Sequence, residues 1–167
     1  AALERAASVT HLVFDKTGTL TEGKPVLTAL EGDDVSLLLA LAAALEAGST
    51  HPLAEAIRKE AEARRLTIKK AENFSLLDGA IAARLGSDEM IFGNEAALRR
   101  VGIEIQKYSD RIAALTAQGH GVSLLGTLSS KDCLGLIAFA DPARVTSKAA
   151  ITQSHTLGVS TTLLTGD

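Results

Sequence analysis

The chain is short of cysteine and of aromatic residues. Among its 167 residues there are one cysteine, one tyrosine and no tryptophan, and aromatic residues make up 3% of the total. An internal disulfide is therefore excluded, and a reducing compartment fits this cysteine usage. The single thiol, Cys133, is close to Leu134 and Ile137. These apolar neighbours predict that it packs in a core. A lone thiol is also a poor site for a transported metal, because a soft metal ion needs several soft ligands.

A long apolar run and an excess of positive charge are also missing. The longest apolar stretch, Val35–Leu45, is interrupted by Ser36 and is far shorter than the roughly 20 residues that a transmembrane helix needs. The N-terminal residues lack a basic region followed by an apolar one, so we do not expect them to be a signal peptide. The net charge of −3 argues against a nucleic-acid partner, which would require a basic face. The 46% of hydrophobic residues can still bury a core in one or two small domains.

The segment Asp15–Thr21, with the sequence Asp-Lys-Thr-Gly-Thr-Leu-Thr, is the most informative part of the chain. It follows the apolar run Leu12–Phe14, which is typical of a short buried strand. A carboxylate at the C-terminal edge of such a strand lies in the crevice where open α/β sheets bind ligands. Glycine and small hydroxyl residues let the backbone close around an anion. The pattern favours Asp15 as a nucleophile that attacks a nucleotide γ-phosphate and becomes an aspartyl phosphate, with an ordinary strand-to-loop turn as the alternative.

Four segments, in the family's order, resemble the P-type ATPases, which are ion pumps that form an aspartyl phosphate. The first is Asp15–Thr21. The second, Ser49–Ala54, is similar to the His-Pro signature of pumps for copper, zinc or cadmium. The third is Asp141–Arg144, which resembles an Asp-x-x-Arg motif, and the last is Leu163–Asp167, which resembles the Thr-Gly-Asp segment. The resemblance therefore covers essentially the whole chain.

The resemblance implies a fold that combines an α/β and an α+β part. Residues 1–24 and 140–167 would form an incomplete phosphorylation domain of the haloacid-dehalogenase type. Residues 25–139 would form an inserted nucleotide-binding domain, an antiparallel sheet flanked by helices. The family's later acidic metal-binding motif and its phosphate-contacting lysine would follow residue 167, so we expect the isolated fragment to be only weakly active.

Hydrophobic periodicity and turn residues predict the individual elements. The predicted strands or extended segments are 10–14, 25–30, 73–77, 80–85, 90–92, 122–128, 133–140 and 160–164. The predicted helices are 2–7, from a cap at 33 or 34 to 47, 52–65, 94–100, 105–118 and 143–156.

The phosphorylation chemistry is assigned by the resemblance to both ends of the chain. Asp15 would be the nucleophile, and Mg²⁺ would be held by its carboxylate and by the backbone carbonyl of Thr17. Asp167 is a further candidate ligand of this Mg²⁺. Thr17, Thr165 and Gly166 would contact the phosphate through hydroxyl and backbone N–H groups.

The resemblance places ATP or ADP in the insert. His51 would orient the adenine and triphosphate, and the helix N-terminus behind Pro52 favours an anion. Gly79 matches one glycine of the family's Gly-x-Gly strand, while Leu77 stands where the first glycine would be. A leucine there would narrow the adenine slot or form one of its walls. Gly93 and Asn94 match a Gly-Asn pair that closes the site, and Asn94 can also cap the next helix.

Three functions compete at this point. The first is the ATP-binding and phosphorylation region of a heavy-metal-exporting P-type ATPase. The second is a soluble phosphatase or phosphotransferase of the haloacid-dehalogenase superfamily, which typically carries a second Asp two residues after the first. Thr17 occupies that position here, which favours a persistent phosphoenzyme and hence a pump. The third is a module that binds nucleotide only.

The first function implies a cytosolic portion of an integral membrane protein, most simply of the cell membrane. Its partners would be ATP or ADP and the membrane and actuator domains of the parent pump, with no nucleic acid. Thr50 replaces an acidic residue common in copper pumps and leans slightly toward zinc or cadmium.

Overall fold

The chain folds into two compact units in a computed structural model that describes residues 8–164. One unit comprises the chain up to Pro25 together with the chain from Asp141 onward, and the other is Val26–Ala140. We call them the outer unit and the insert. The helix predicted over residues 2–7 lies outside the described residues.

Between residues 8 and 164, eight strands form two separate sheets. In chain order they are β1 (His11–Asp15), β2 (Val26–Gly32), β3 (Glu72–Leu77), β4 (Ala80–Leu85), β5 (Asp88–Gly93), β6 (Gly121–Thr127), β7 (Cys133–Ala140) and β8 (Ser160–Leu164). The insert carries a six-stranded antiparallel sheet in the order β2-β7-β6-β5-β4-β3. The outer unit carries a parallel pair of β1 and β8. Strands β2 and β3 are therefore the edges of the insert sheet.

Five α-helices accompany these strands in the described residues. They are α1 (Val35–Leu45), α2 (Pro52–Ala63), α3 (Glu95–Arg100), α4 (Ser109–Ala117) and α5 (Val145–Thr156), and a short 3₁₀ helix (Gln106–Tyr108) precedes α4. Side chains cap the first three. The Asp34 carboxylate accepts the first free N–H groups of α1, and His51 and Asn94 cap α2 and α3. Each cap satisfies N–H groups that a helix leaves without internal partners.

The insert has a hydrophobic core on each face of its sheet. Alternation along β7 shows how the two are built: Ile137 and Phe139 pack with α1 and α2, whereas Leu136 and Ala138 pack with α3 and α4. All four side chains are buried, which explains why β7 is a continuous apolar run rather than an alternating one. A fully buried Leu or Ile contributes about 1.5–3 kcal/mol relative to an exposed one. The sheet is thus covered by packed side chains on both of its faces.

The outer unit is organised around the parallel pair. Its register runs from His11 opposite Ser160 to Asp15 opposite Leu164. Helix α5 precedes β8 in the sequence and contacts it. Among the residues described in this unit, the buried ones are polar, Thr21 and Ser147, each about 8% exposed. Polar contacts therefore carry much of the local order around Asp15.

Most predicted elements are confirmed, with shifts of one or two residues at their ends. Helix 105–118 is wrong in its first turn. Ile103 and Ile105 are both buried, and side chains two residues apart reach one core in an extended segment rather than in a helix. Regular α-helix consequently begins only at Ser109. Within residues 8–164, no helix has both the length and the apolar character that a membrane crossing requires.

Candidate functional site

Asp15 is the last residue of β1 and is exposed. Its parallel neighbour in the register is Leu164, the last residue of β8. The carboxyl ends of parallel strands form the ligand-binding edge of such sheets. Among the residues that the structure describes, no hydrogen bond or ion pair engages the Asp15 side chain. The carboxylate is thus available to a ligand.

Thr17 lies in the wide turn Lys16–Leu20 that follows Asp15. The turn is closed where the N–H of Thr21 donates to the Lys16 carbonyl at 3.1 Å. Thr17 has φ −79° and ψ 119°, and Gly18 has φ 80° and ψ −12°. These are the central angles of a type II turn, which requires positive φ at its second central residue and so favours glycine there. Gly18 therefore lets the backbone of the motif adopt the positive φ that this turn requires.

The carboxylate of Asp141, the first residue after β7, holds this turn. The Thr21 hydroxyl donates to Oδ2 of Asp141 at 2.5 Å, and the N–H of Lys24 donates to Oδ1 of the same carboxylate at 3.2 Å. The N–H of Gly18 in turn donates to the Thr21 hydroxyl at 3.1 Å. No role for Thr21 or Asp141 was predicted from the sequence, although the Asp-x-x-Arg motif was visible.

Two further side chains, Arg144 and Ser147, follow Asp141 in the sequence and donate hydrogen bonds to carbonyls of the turn. A guanidinium nitrogen of Arg144 donates to the Gly18 carbonyl at 3.0 Å, and the Ser147 hydroxyl donates to the Leu20 carbonyl at 2.7 Å. The backbone N–H of Arg144 also donates to the Leu20 carbonyl, at 2.9 Å. The turn next to Asp15 is consequently fixed by contacts more than a hundred residues away in sequence.

The other residues predicted around Asp15 belong to the chain end. Thr165, Gly166 and Asp167 lie outside the described residues, directly after the strand that pairs with β1. Within residues 8–164, no three His, Cys, Asp or Glu side chains come together as a metal site. Of the predicted Mg²⁺ ligands, the structure describes Asp15 and Thr17, and Asp167 lies outside the described residues.

Three of the predicted nucleotide residues meet at one corner of the insert. Gly79 is the second residue of the two-residue turn between β3 and β4 and has φ +78°. Its carbonyl accepts the N–H of Asn94 at 2.9 Å. A Cβ on Gly93 would lie 2.4 Å from the Gly79 oxygen and 2.3 Å from the Cβ of Ala80. Hairpin and strand end approach this closely only because residue 93 has no side chain.

Asn94 joins this corner to α3. Its Oδ1 accepts the N–H of Ala97 at 2.8 Å and so caps the helix, as predicted. A Cβ on Gly79 would clash with the same side-chain amide at 2.3 Å. The pair Gly79 and Asn94 is thus sterically matched, and we call Gly79, Gly93 and Asn94 the glycine corner.

His51 occupies the N-cap of α2. Its Nδ1 accepts the N–H of Leu53 at 3.2 Å, which assigns the ring proton to Nε2. The ring is exposed. Among the described residues its hydrogen bonds go to Ser49 and to α2 itself, not to the glycine corner. Arg58, in a charged run that the sequence predicts to face solvent, holds the preceding loop by donating to the carbonyls of Glu46 and Ser49 at 2.7 and 2.9 Å.

Leu77 is the last residue of the edge strand β3 and lies opposite Ala80. Its side chain is 42% exposed, and its neighbour Leu76 is 85% exposed. Leu77 is therefore not a core residue, and its substitution would remove little packing.

Comparison with known proteins gives one family and a consistent set of relatives. The haloacid dehalogenase-like hydrolase family matches residues 9–167. The chain is 40% identical over 171 residues to a zinc/cadmium/lead-transporting P-type ATPase of Escherichia coli (strain K12), covering 100% of this chain and 22% of that protein. It is 37% identical over 166 residues to a copper-exporting P-type ATPase of Staphylococcus haemolyticus (strain JCSC1435), covering 99% of this chain and 20% of that protein. The chain thus spans about a fifth of the length of these relatives.

Solved structures agree with these relatives. A zinc-transporting PIB-type ATPase in its E2.Pi state matches 99% of this chain and 27% of its own, with a TM-score of 0.76 and 38% identity. The N-domain of HMA6, a copper-transporting P-type ATPase, matches 70% of this chain and 99% of its own, with a TM-score of 0.54 and 27% identity. The fold class predicted from the sequence is confirmed.

Proposed function

The chain belongs to the haloacid dehalogenase-like hydrolases and is homologous to heavy-metal-transporting P-type ATPases, and on that premise we propose that it is the ATP-binding and aspartyl-phosphorylation region of such a pump. The parent protein would couple ATP hydrolysis to export of Cu⁺ or of Zn²⁺ and Cd²⁺ across a membrane. This region would be its cytosolic part and would work with membrane and actuator domains. The insert would bind ATP, and Asp15 would accept its γ-phosphate.

The observation that carries this proposal is the position of Asp15. An exposed carboxylate at the carboxyl end of a parallel strand, without a partner among the described residues, is available as a nucleophile. One of its oxygens would bond to the γ-phosphorus while the bond to the ADP oxygen breaks, leaving an aspartyl phosphate and ADP. The hydrogen bonds that hold the following turn would keep the strand end in position during transfer. Thr17 stands where soluble relatives typically carry a second Asp, so water would attack the aspartyl phosphate slowly.

A divalent cation is part of this chemistry, and the available donors suit Mg²⁺. Mg²⁺ prefers oxygen ligands and is commonly held by one or two carboxylates plus substrate phosphates. The carboxylate of Asp15 and the backbone carbonyl of Thr17 would hold it here, with Asp167 as a further candidate. When bound, it would neutralise phosphate charge and hold the phosphoryl group. Thr17, Thr165 and Gly166 would contribute hydroxyl and N–H groups to the phosphate.

ATP would bind to the insert through the glycine corner and His51. Gly79 packs against the Asn94 side chain, and Gly93 against the backbone of the hairpin, because neither glycine carries a Cβ; the base would lie beside these residues. The exposed His51 ring carries a proton on Nε2 and can donate it to the nucleotide. It stands at the N-terminus of α2, where the helix dipole favours phosphate.

Trapping of the phosphoprotein tests this function. The chain incubated with Mg²⁺ and γ-labelled ATP, then quenched in acid, should carry a weak label that hydroxylamine removes, as expected for an acyl phosphate on a fragment of low activity. Asp15→Asn should abolish the label and leave the ATP dissociation constant, measured by calorimetry, unchanged. Acid-stable label on the Asn variant would refute the role of Asp15. Robust Mg²⁺-dependent release of free phosphate by the chain alone would instead support the soluble phosphotransferase.

A further inference from the structure

The peptide between Thr17 and Gly18 has a defined orientation. In a trans peptide the C=O and N–H groups point in opposite directions across one plane. The Gly18 N–H points to the Thr21 hydroxyl, 3.1 Å away. The Thr17 carbonyl must therefore point away from Thr21. Reversal of this one peptide distinguishes a type I from a type II turn, so whatever holds the Gly18 N–H also sets the direction of the Thr17 carbonyl.

The Thr21 hydroxyl is held in turn by Asp141. A hydroxyl has one proton, and Thr21 lies 2.5 Å from Oδ2 of Asp141 but 3.1 Å from the Lys16 carbonyl. The proton goes to the carboxylate, because charge-assisted hydrogen bonds are shorter and stronger than neutral ones. An oxygen lone pair of Thr21 is then left for the Gly18 N–H. The Lys24 N–H fixes the other oxygen of Asp141, and Thr21 is only 8% exposed.

We propose that Thr21 and Asp141 are positioning residues that set the Mg²⁺ affinity of the Asp15 site by orienting the Thr17 carbonyl. Two hydrogen bonds connect Asp141 to the Thr21 hydroxyl and the Thr21 hydroxyl to the Gly18 N–H. The Gly18 N–H and the Thr17 carbonyl belong to the same peptide group, so fixing one fixes the other. The inference rests on the proposed function, since it takes Asp15 and Thr17 as the Mg²⁺ ligands. Partners that orient a metal ligand typically change metal affinity 10–100-fold when they are removed.

Ser147 provides a matched control. Its hydroxyl donates to the Leu20 carbonyl at 2.7 Å, in the same turn, and the residue is as buried as Thr21. The Leu20 carbonyl belongs to a different peptide and keeps the Arg144 N–H as a second donor. Ser147→Ala thus removes one buried hydrogen bond from the turn without touching the Thr17–Gly18 peptide.

The test is a titration of the isotope-labelled chain with Mg²⁺ alone, followed by NMR, with hydrogen exchange of the Gly18 amide as a second measurement. Thr21→Val keeps the shape and removes the hydroxyl, so we expect Mg²⁺ to bind about tenfold more weakly and the Gly18 amide to lose its protection. Thr21→Ser should restore both. Ser147→Ala should retain the affinity and the protection of Gly18, whatever it does to the melting temperature.

The outcomes separate this inference from the proposed function. Equal Mg²⁺ affinity in Thr21→Val and the unchanged chain, with Asp15→Asn much weaker than both, would overturn the positioning role and leave the function intact. A Thr21→Val variant that fails to fold shifts the decision to Asp141→Asn, which weakens the charge-assisted bond and should show a smaller effect of the same sign. Unchanged Mg²⁺ affinity in Asp15→Asn would instead refute the metal site itself.

Discussion

Gly93→Ala should separate the hairpin from the strand end at the glycine corner. A Cβ there would lie 2.3 Å from the Cβ of Ala80, 2.4 Å from the Gly79 oxygen and 2.6 Å from the Ala80 Cα. Two of these three atoms are backbone, so rotation of a side chain cannot relieve the clash. The hairpin must shift, and with it the hydrogen bond from the Asn94 N–H to Gly79.

The expected cost is about 2 kcal/mol, within the range measured for overpacking a well-packed region. This corresponds to a roughly 30-fold rise in the unfolded fraction of the insert. Cys133 provides a specific assay, because it is the single cysteine of the chain and is 2% exposed within the insert. Its reaction with a thiol reagent requires opening of the insert. When reclosing is faster than labelling, the rate follows the open population, so the variant should react about 30 times faster.

Gly121→Ala is the matched control in the same sheet. A Cβ at Gly121 meets no atom within 4 Å, and alanine should be neutral or slightly stabilising there. If Gly93→Ala reacted no faster than Gly121→Ala, the close approach at the corner would not constrain residue 93. The affinity for ADP should fall in Gly93→Ala and stay the same in Gly121→Ala.

Three further predictions concern single side chains. His51→Ala should lower the stability of the insert by about 0.5–2 kcal/mol through loss of the helix cap, and it should also weaken ATP binding. His51→Asn should keep the cap and weaken ATP binding alone. Thermal unfolding measures the effect on stability, and calorimetry measures the effect on binding. Leu77→Gly should tighten ATP binding or leave it unchanged. A contact difference of roughly 1 kcal/mol would give about a five-fold change in the ATP dissociation constant. A large loss of ATP affinity would show that Leu77 forms a wall of the pocket. Burial raises the pKa of the Cys133 thiol, against smaller opposing effects of a hydrogen bond at Gly135 and of Lys107. The unfolded thiol should therefore ionise first, so the free energy of unfolding should fall as the pH rises above about 8.5, with a smaller slope in Cys133→Ala.

Local patterns were sufficient for most of the insert. The polar residues 129–132 separate two predicted strands that pair as β6 and β7. The predicted helix 52–65 corresponds to α2, which buries Ile57 and Ala61. The first turn of the predicted helix 105–118 failed because Ile103 and Ile105 share one core, which is a tertiary fact. The order of the six strands was likewise beyond any local signal, since β2 pairs with the last strand of the insert.

Some residues of the candidate site could be predicted from the sequence, and others could not. Gly79 packs closely against Asn94. The resemblance had implied that both residues belong to a nucleotide site, and the capping role of Asn94 had been predicted from its position before a helix. The roles of Thr21 and Ser147 could not be predicted, because their partners lie 120 and 127 residues away. A threonine in a loop and a serine in a helix carry no mark of such contacts until the fold brings them together.

The antiparallel pairing of β2 with β7 has a consequence for chain entropy. Val26 and Ala140, the first and last residues of the insert, lie directly opposite each other, so their Cα atoms are about 4.5–5.5 Å apart. Once the insert has folded, the outer unit needs to span only the short gap between Val26 and Ala140, instead of a long flexible loop. Because closure entropy depends on the length of free chain, the insert can lengthen or shorten internally at almost no cost to the unit that carries Asp15.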